Sequence, residues 1–310
     1  MNIYILILTL ILSSCFEEKK SLAEIKSQIK INETENIISI LSSDSLKGRD
    51  NKNKGYFKAA DYVIKYYKKN NINPLYYGYK DLFYSDSIES YNVVGTVGKF
   101  LNKRKTILIG AHLDHIGVNG FGPDRVYNGA NDNASGCVSV LQIGSFLSKF
   151  KWDYNIILAL FAEEEKGLRG SYNLANRMKK ENINLEYVIN FEMIGKEMNK
   201  GENKVYLTGY KTSNLAQEIN KVIPDFVTFF SKSEEFNLFQ RSDNYPFYKA
   251  FGIPSQTISS FDFENYKYYH HFDDEVNNLN MENLNEIIVS SAFFISNFLN
   301  EKTKITLNIR

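Results

Sequence analysis

The sequence predicts an α/β fold, a central sheet covered by helices on both faces. Two observations carry that prediction. Short β-rich apolar runs alternate with segments of helical spacing along most of the chain, and ionisable residues collect where the apolar runs end. Alternation of this kind argues for strands sandwiched between helices, and in such sheets function gathers beyond the carboxyl ends of the strands. Taken in order, residues 34–69 carry apolar positions at helical spacing: Ile37, Ile38, Ile40 and Leu41, then Ala59, Ala60, Val63, Ile64 and Tyr67. The glycine-containing stretch SLKGRDNKNKG divides this region into two helices. Strands are expected over residues 92–97, 106–112, 155–162, 187–191, 205–208 and 255–259, where apolar and β-branched residues cluster. Helices are expected over residues 134–150, 171–181, 213–222 and 281–299. With 310 residues, no internal repeat and no long linker, residues 35–310 read as one catalytic domain.

Charges nearly cancel at +1, and no basic excess is gathered for a nucleic-acid partner. Cys15 closes the apolar start and Cys137 lies in an expected helix, so once Cys15 is accounted for no cysteine pair is left to form a disulfide. Residues 3–12 form an apolar run too short to span a bilayer and suited to the h-region of a secretory signal. It ends in Leu12-Ser13-Ser14-Cys15, which resembles the lipobox of bacterial lipoproteins, although no Lys or Arg precedes it. The resemblance implies a signal peptide over residues 1–15 and acylation of Cys15. It also implies a lipid-anchored protein of the bacterial cell envelope, facing the periplasm or the cell surface. The polar residues 16–34, which begin Phe16-Glu17-Glu18-Lys19-Lys20, are expected to form a flexible tether.

Five motifs place polar residues at strand ends. In TILIGAHLDHIG, His112 and Asp114 lie two apart on one face of an extended segment. An imidazole there can bind a metal while a carboxylate takes its second N–H; an ordinary strand-end histidine is the bland alternative. In YNGANDNASG, Asp132 either caps the helix that follows or bridges two cations with its two oxygens. In NIILALFAEEEKG, Glu163, Glu164 and Glu165 follow a buried strand. Consecutive strand residues face opposite ways, so neighbours share a site only where the backbone turns; one as ligand and one as general base would suit hydrolysis. In EYVINFEMIG, Glu192 is the lone acid of an apolar strand end, stabilised there by a metal or by a salt bridge. In NYKYYHHFDDEVNN, either His270 or His271 is a candidate ligand. Together, Asp132, Glu164 and Glu192 carry three negative charges, which two Zn²⁺ ions and a bridging hydroxide bring to neutrality.

The order and spacing of HLDHIG, GANDNASG, the Glu-Glu pair, NFEMIG, RSDNYPFYKAFGIP and YYHHFDDEV resemble the peptidase M28 family of zinc aminopeptidases. That family shares its fold with glutaminyl cyclases and glutamate carboxypeptidase II. The likeness spans residues 45–298 and includes the Gly-Arg segment SLKGRDNKNKGYFKAADYV. It implies a mixed central sheet of the zinc exopeptidase (phosphorylase/hydrolase-like) kind and two Zn²⁺ ions. His112 and Glu192 would bind one ion, Glu164 and His270 the other, and Asp132 would bridge them. Asp114 would orient His112, and Glu163 would move the proton from the attacking water to the leaving amine. His270 is preferred to His271 because Asp274 then falls at the family's spacing. The chain departs from the family's usual Asp at Glu192 and from its frequent His at Asn244. The implied activity is removal of N-terminal residues from peptides, with Tyr266, Tyr268 and Phe272 lining a side-chain pocket. A single-zinc glutaminyl cyclase and a non-catalytic peptide-binding surface lipoprotein are the rival readings.

Overall fold

The computed structural model of the chain describes residues 20–119 and 124–308. It begins with helices α1 (Leu22–Gln28), α2 (Ile31–Leu41) and α3 (Gly55–Lys69), followed by strands β1 (Ile72–Pro74), β2 (Lys80–Ser85), β3 (Ile88–Val97) and β4 (Thr106–His112). Next come α4 (Gly136–Leu147), β5 (Asn155–Phe161), α5 (Arg169–Lys180), β6 (Leu185–Glu192), β7 (Val205–Leu207) and α6 (Leu215–Val222). The chain ends with β8 (Val227–Thr228), α7 (Ser231–Glu235), α8 (Asn244–Phe251), β9 (Ser255–Ser259) and α9 (Met281–Glu301).

All of these strands join one sheet in the order β1-β3-β5-β4-β6-β9-β7-β8, with β2 paired to β3 off that path. Its middle is parallel, β5 with β4, β4 with β6 and β6 with β9. Antiparallel pairs adjoin it on each side, β3 against β5 and β7 against β9, and β8 then runs parallel to β7. The sheet is therefore mixed. Alternation along each central strand separates two apolar layers. Ile107, Ile109 and Ala111 of β4 join a core with side chains of α3, α4 and α9, whereas Leu108 faces α5 and α8 through Leu174, Met178 and Phe247. Among the described residues no helix is long and apolar enough to cross a membrane.

Residues 20–34 are not the expected tether. Ser21 and Glu24 form a reciprocal cap at the start of α1. Ile25 and Ile29, four apart, are buried on one face, and α1 and α2 pack against α9. The charge of this stretch had masked a short amphipathic face. The signal segment with Cys15, and residues 16–19, lie outside the described residues.

Candidate metal centre

Parallel pairing brings the carboxyl ends of the central strands to one edge: His112 of β4 is in register with Phe161 of β5, and Glu192 of β6 with Ser259 of β9. His112 is buried, and its Nδ1 lies 3.0 Å from the carbonyl oxygen of Asp114. Its Nε2 lies 3.2 Å from Asp132 Oδ1 and 3.2 Å from Glu192 Oε1. Glu192 reaches the cluster despite its longer arm, and Asn133 Nδ2 steadies its other oxygen at 3.3 Å. Burial opposes a charge on His112, yet Glu192, Glu164 and Asp132 outweigh it and push its pKa well above the ordinary value.

Asp132 sits in the loop between β4 and α4, and three features hold that loop. Asp274 accepts the backbone N–H of Asn131 at 2.7 Å and of Asp132 at 3.0 Å, so its carboxylate supports the loop. Gly129 has φ +61°, and a Cβ there would lie 2.2 Å from the Asp132 carbonyl oxygen, so only glycine fits. Arg49, fully buried, donates all five N–H bonds to carbonyls: Leu41, Leu113, Asn128, Gly129 and Asp132. Arg49 thus ties the two ends of the β4–α4 loop to each other and to the end of α2. Its Gly-Arg segment was visible in the sequence, but nothing there marked the arginine as the tie.

The acidic run after β5 is displaced by one residue from the expected assignment. Glu163 takes a left-handed conformation, φ +56°, which turns its side chain out of the cluster. Its carboxylate accepts from Asn51 Nδ2 at 2.7 Å and lies 3.5 Å from Lys166 Nζ. Glu164 lines the pocket with His112 and Asp132. Burial, aided by Asp243, Glu192 and Glu165, pushes the Glu164 carboxyl well above its usual range. Glu165, not Glu164, stands among the donor atoms, with Oε2 at 3.2 Å from His270 Nε2. The turn at Glu163 is what shifts the register, and strand alternation could not locate it. Asp114 does not hold His112 through its carboxylate either, since Oδ1 is 3.8 Å from Nδ1. Its oxygens accept the backbone N–H of Glu164 at 3.0 Å and of Glu165 at 3.3 Å, which fixes the turn.

His270 Nε2 lies 3.2 Å from Asp132 Oδ2, and its ring stacks on Tyr269 with centroids 4.0 Å apart. Burial opposes its protonation, but Asp132 and Glu165 raise its pKa to about 10. His271 is exposed and pairs with Asp273 at 3.4 Å, outside the centre. The residues gather as two groups that share one carboxylate: His112, Asp132 and Glu192 on one side, and His115, Asp132, Glu165 and His270 on the other. His115 and Glu165 are the members not anticipated from the sequence. Spacing offered one hint, His115 following His112 by three residues in the same motif.

The pocket beside the two groups has walls that include Tyr206, Leu238, Phe261, Phe263 and Tyr269, with Arg241 at one side. The expected aromatic lining is elsewhere. The Tyr266 hydroxyl donates to Asp274 at 2.6 Å, Tyr268 packs on Tyr266, and Phe272 stacks on Tyr127. Asn244 also serves structure: it donates to the Ser255 carbonyl and accepts from the Thr257 hydroxyl, joining α8 to β9.

The residues fit divalent cations. Imidazole and carboxylate are the donor types zinc takes, and two ligands about 2.0–2.1 Å from one tetrahedral ion stand about 3.3 Å apart. Four imidazole–carboxylate spacings in the cluster are 3.2 Å. The sequence profile described as Peptidase family M28 matches residues 92–294. The chain belongs to peptidase family M28. Within and around this family, it is 33% identical over 103 residues to a probable zinc metalloprotease of Pyrenophora teres f. teres, which covers 33% of this chain and 22% of that protein. The match thus spans under a quarter of that relative's length. The fold resembles the LapA aminopeptidase of Legionella pneumophila, with TM-score 0.70, 20% identity, and coverage of 91% of this chain and 76% of that one. It also resembles the glutaminyl cyclase of Fimbriiglobus ruber, with TM-score 0.67, 15% identity, and coverage of 86% and 95%. At such identities the M28 chain and these two structures share a fold, and function has to be argued from the site.

Proposed function

We propose that this M28 chain is a zinc-dependent aminopeptidase that releases N-terminal residues from peptides, with two Zn²⁺ ions per chain. One observation carries the reading: Asp132 presents Oδ1 to His112 and Oδ2 to His270, so two donor groups share a single bridging carboxylate. His112, Asp132 and Glu192 would hold one ion, and Asp132, Glu165 and His270 the other. Bound there, zinc would acidify a water and polarise the scissile carbonyl. The protein supplies the rest. Glu164, a pocket-lining carboxyl that burial pushes above its usual range, accepts a proton at its carboxylate and delivers it to the leaving amine. The acids at the centre offer a counter-charge for a free α-amino group, and the aromatic wall takes an apolar side chain.

The test is release of leucine or alanine from simple amides, measured beside zinc per chain with and without a chelator. Turnover that survives complete loss of zinc would refute the proposal. Two donor groups favour a peptidase over a single-zinc cyclase. Incubation with a peptide bearing N-terminal Gln separates the two, because a cyclase releases ammonia whereas a peptidase releases glutamine. A non-catalytic peptide-binding lipoprotein predicts no product of either kind.

Lipid attachment at Cys15 to the bacterial envelope is a second part of this proposal, supported by Leu12-Ser13-Ser14-Cys15 alone. Cys15→Ser should move the protein from the membrane fraction to the soluble one. An unchanged distribution would remove the anchor.

A further inference from the structure

His115 lies three residues beyond His112, and its buried side chain enters the centre on the Glu165 side. Its Nδ1 is 2.9 Å from Glu165 Oε1 and 3.7 Å from Asp132 Oδ2. Two roles are open to such a ring. It is a further ligand through Nδ1, or it holds Glu165 while other atoms ligate.

Two observations decide between them. First, His115 and His270 approach different oxygens of the same carboxylate, His115 at Oε1 and His270 at Oε2. Oε2 already stands with Asp132 Oδ2 around His270 Nε2, so the donor spacing on that side is complete without His115. Second, His115 Nε2 is buried, and among the described residues nothing hydrogen-bonds it. The ring edge is pressed against backbone, since a Cβ on Gly129 would lie 2.6 Å from His115 Cδ2. A neutral imidazole carries one proton. Were Nδ1 a metal ligand, that proton would sit on Nε2 as a buried donor with no acceptor, whereas metal-bound histidines almost always donate the second N–H. With the proton on Nδ1, the donor is satisfied by Glu165 and only a lone pair is left over, the cheaper arrangement.

We infer that His115 is a positioning residue, not a ligand: its Nδ1–H donates to Glu165 Oε1 and leaves Oε2 alone to face the cation shared with Asp132 and His270. The inference rests on the two-cation reading above and adds to it a cause for one-oxygen binding by Glu165. A free glutamate swings to offer both oxygens; a glutamate held at Oε1 does not, so a coordination position stays open for substrate.

The experiment titrates zinc into metal-free protein by calorimetry, for the wild type, His115→Leu and His115→Asn. The amide N–H of asparagine stands roughly where the Nδ1–H of histidine does, but asparagine is a poor zinc ligand. Loss of an outer hydrogen bond to a ligand typically weakens metal binding about 10–100-fold. His115→Leu should show that loss at one of two sites, and His115→Asn should recover to within about threefold of wild type. Equal losses in Leu and Asn would make His115 a ligand and overturn the inference, as would wild-type affinity in the Leu variant. Should the Leu variant not fold, imidazole ¹⁵N shifts of the zinc-loaded wild type decide: a proton on Nδ1 of His115 upholds the inference, and a proton on Nε2 overturns it. A wild type that takes up fewer than two ions sinks the two-cation reading and this inference together. Two ions in the wild type with the wrong variant pattern sink only the inference.

Discussion

The two halves of the metal centre are built differently. The His112–Glu192 half stands on strand ends: both side chains leave β4 and β6 directly, and His112 is 1% exposed. The Glu165–His270 half stands on turns: Glu165 comes two residues after the left-handed Glu163, and His270 is itself left-handed at φ +54° with its side chain 36% exposed. Strand geometry places a ligand by hydrogen-bond register, whereas a turn needs partners to hold it. The extra partners are where that logic puts them, with Asp114 on the amides of Glu164 and Glu165, and His115 on the Glu165 carboxylate. Asp132 belongs to both halves, and its loop is the most heavily tied, by Asp274 and Arg49.

The largest effect should separate two adjacent glutamates. Glu164→Gln removes the pocket-facing carboxylate and should lower kcat about 10²–10⁴-fold with zinc content unchanged. Glu163→Gln touches a residue bonded to Asn51 outside the centre and should change kcat by less than about threefold. Steady-state kinetics on both variants, with metal analysis, would reverse the assignment if Glu163→Gln were the inactive one.

Next in size is the tie that both halves share. Arg49→Met leaves buried carbonyls of the β4–α4 loop and of Leu41 unpaired, at about 1–3 kcal/mol for each that finds no new donor. A loss of roughly 3 kcal/mol or more is expected in urea unfolding of metal-free protein. Stability unchanged within about 0.5 kcal/mol would mean that the loop holds itself.

How far the sequence spoke follows the same division. The strand ends His112 and Ser259 were readable, and β4 and β9 were expected with the bounds observed, whereas β5 was expected to run one residue further and β6 to stop one residue earlier. In the turn-borne half, Glu165 stands among the donor atoms where Glu164 was expected. Alternation defines a strand but not the residue at which a left-handed turn begins. The roles of Arg49, Asp274 and His115 were not legible for a related reason. Each acts on backbone or on a carboxylate from a distant part of the chain, Arg49 across 83 residues to Asp132, and Asp274 across 142. The short elements β1, β2, α7 and α8 were not expected, and length alone is not the reason, since β7, β9 and α6 are as short and were.

Both halves should respond to pH, because each holds an imidazole with a raised pKa, and the exposed half is the one that can be put on a scale. His270 is raised to about 10 by Asp132 and Glu165 against the opposing effect of burial. A raised folded-state value means that the stabilisation from its proton in metal-free protein is complete below the unfolded value near 6.5 and fades as pH climbs towards 10. The cation competes for the same lone pair, so its apparent affinity moves the opposite way. One displaced proton gives about a tenfold gain per pH unit between neutrality and pH 10, followed by a plateau. Calorimetric zinc titrations in buffers of different ionisation heat would read the protons released. No release at pH 8 would mean that His270 is already neutral there.

The smallest effect sharpens the choice between adjacent histidines. His271 carries an exposed ring 3.4 Å from Asp273 and accepts that residue's backbone N–H at 3.1 Å, an arrangement confined to the surface of one turn. Substitutions at exposed positions of this kind usually change stability by no more than about 0.5 kcal/mol. His271→Gln keeps an acceptor near the Asp273 amide and leaves Asp274 free to hold the Asp132 loop, so zinc content and kcat/KM should stay within about twofold of wild type. His270→Gln, one residue away, removes a nitrogen that stands between Asp132 and Glu165 and should lower the affinity of that half. If zinc analysis found the deficit in the His271 variant instead, the turn would have to present its two rings the other way round, and the left-handed residue at 270 would lose its purpose.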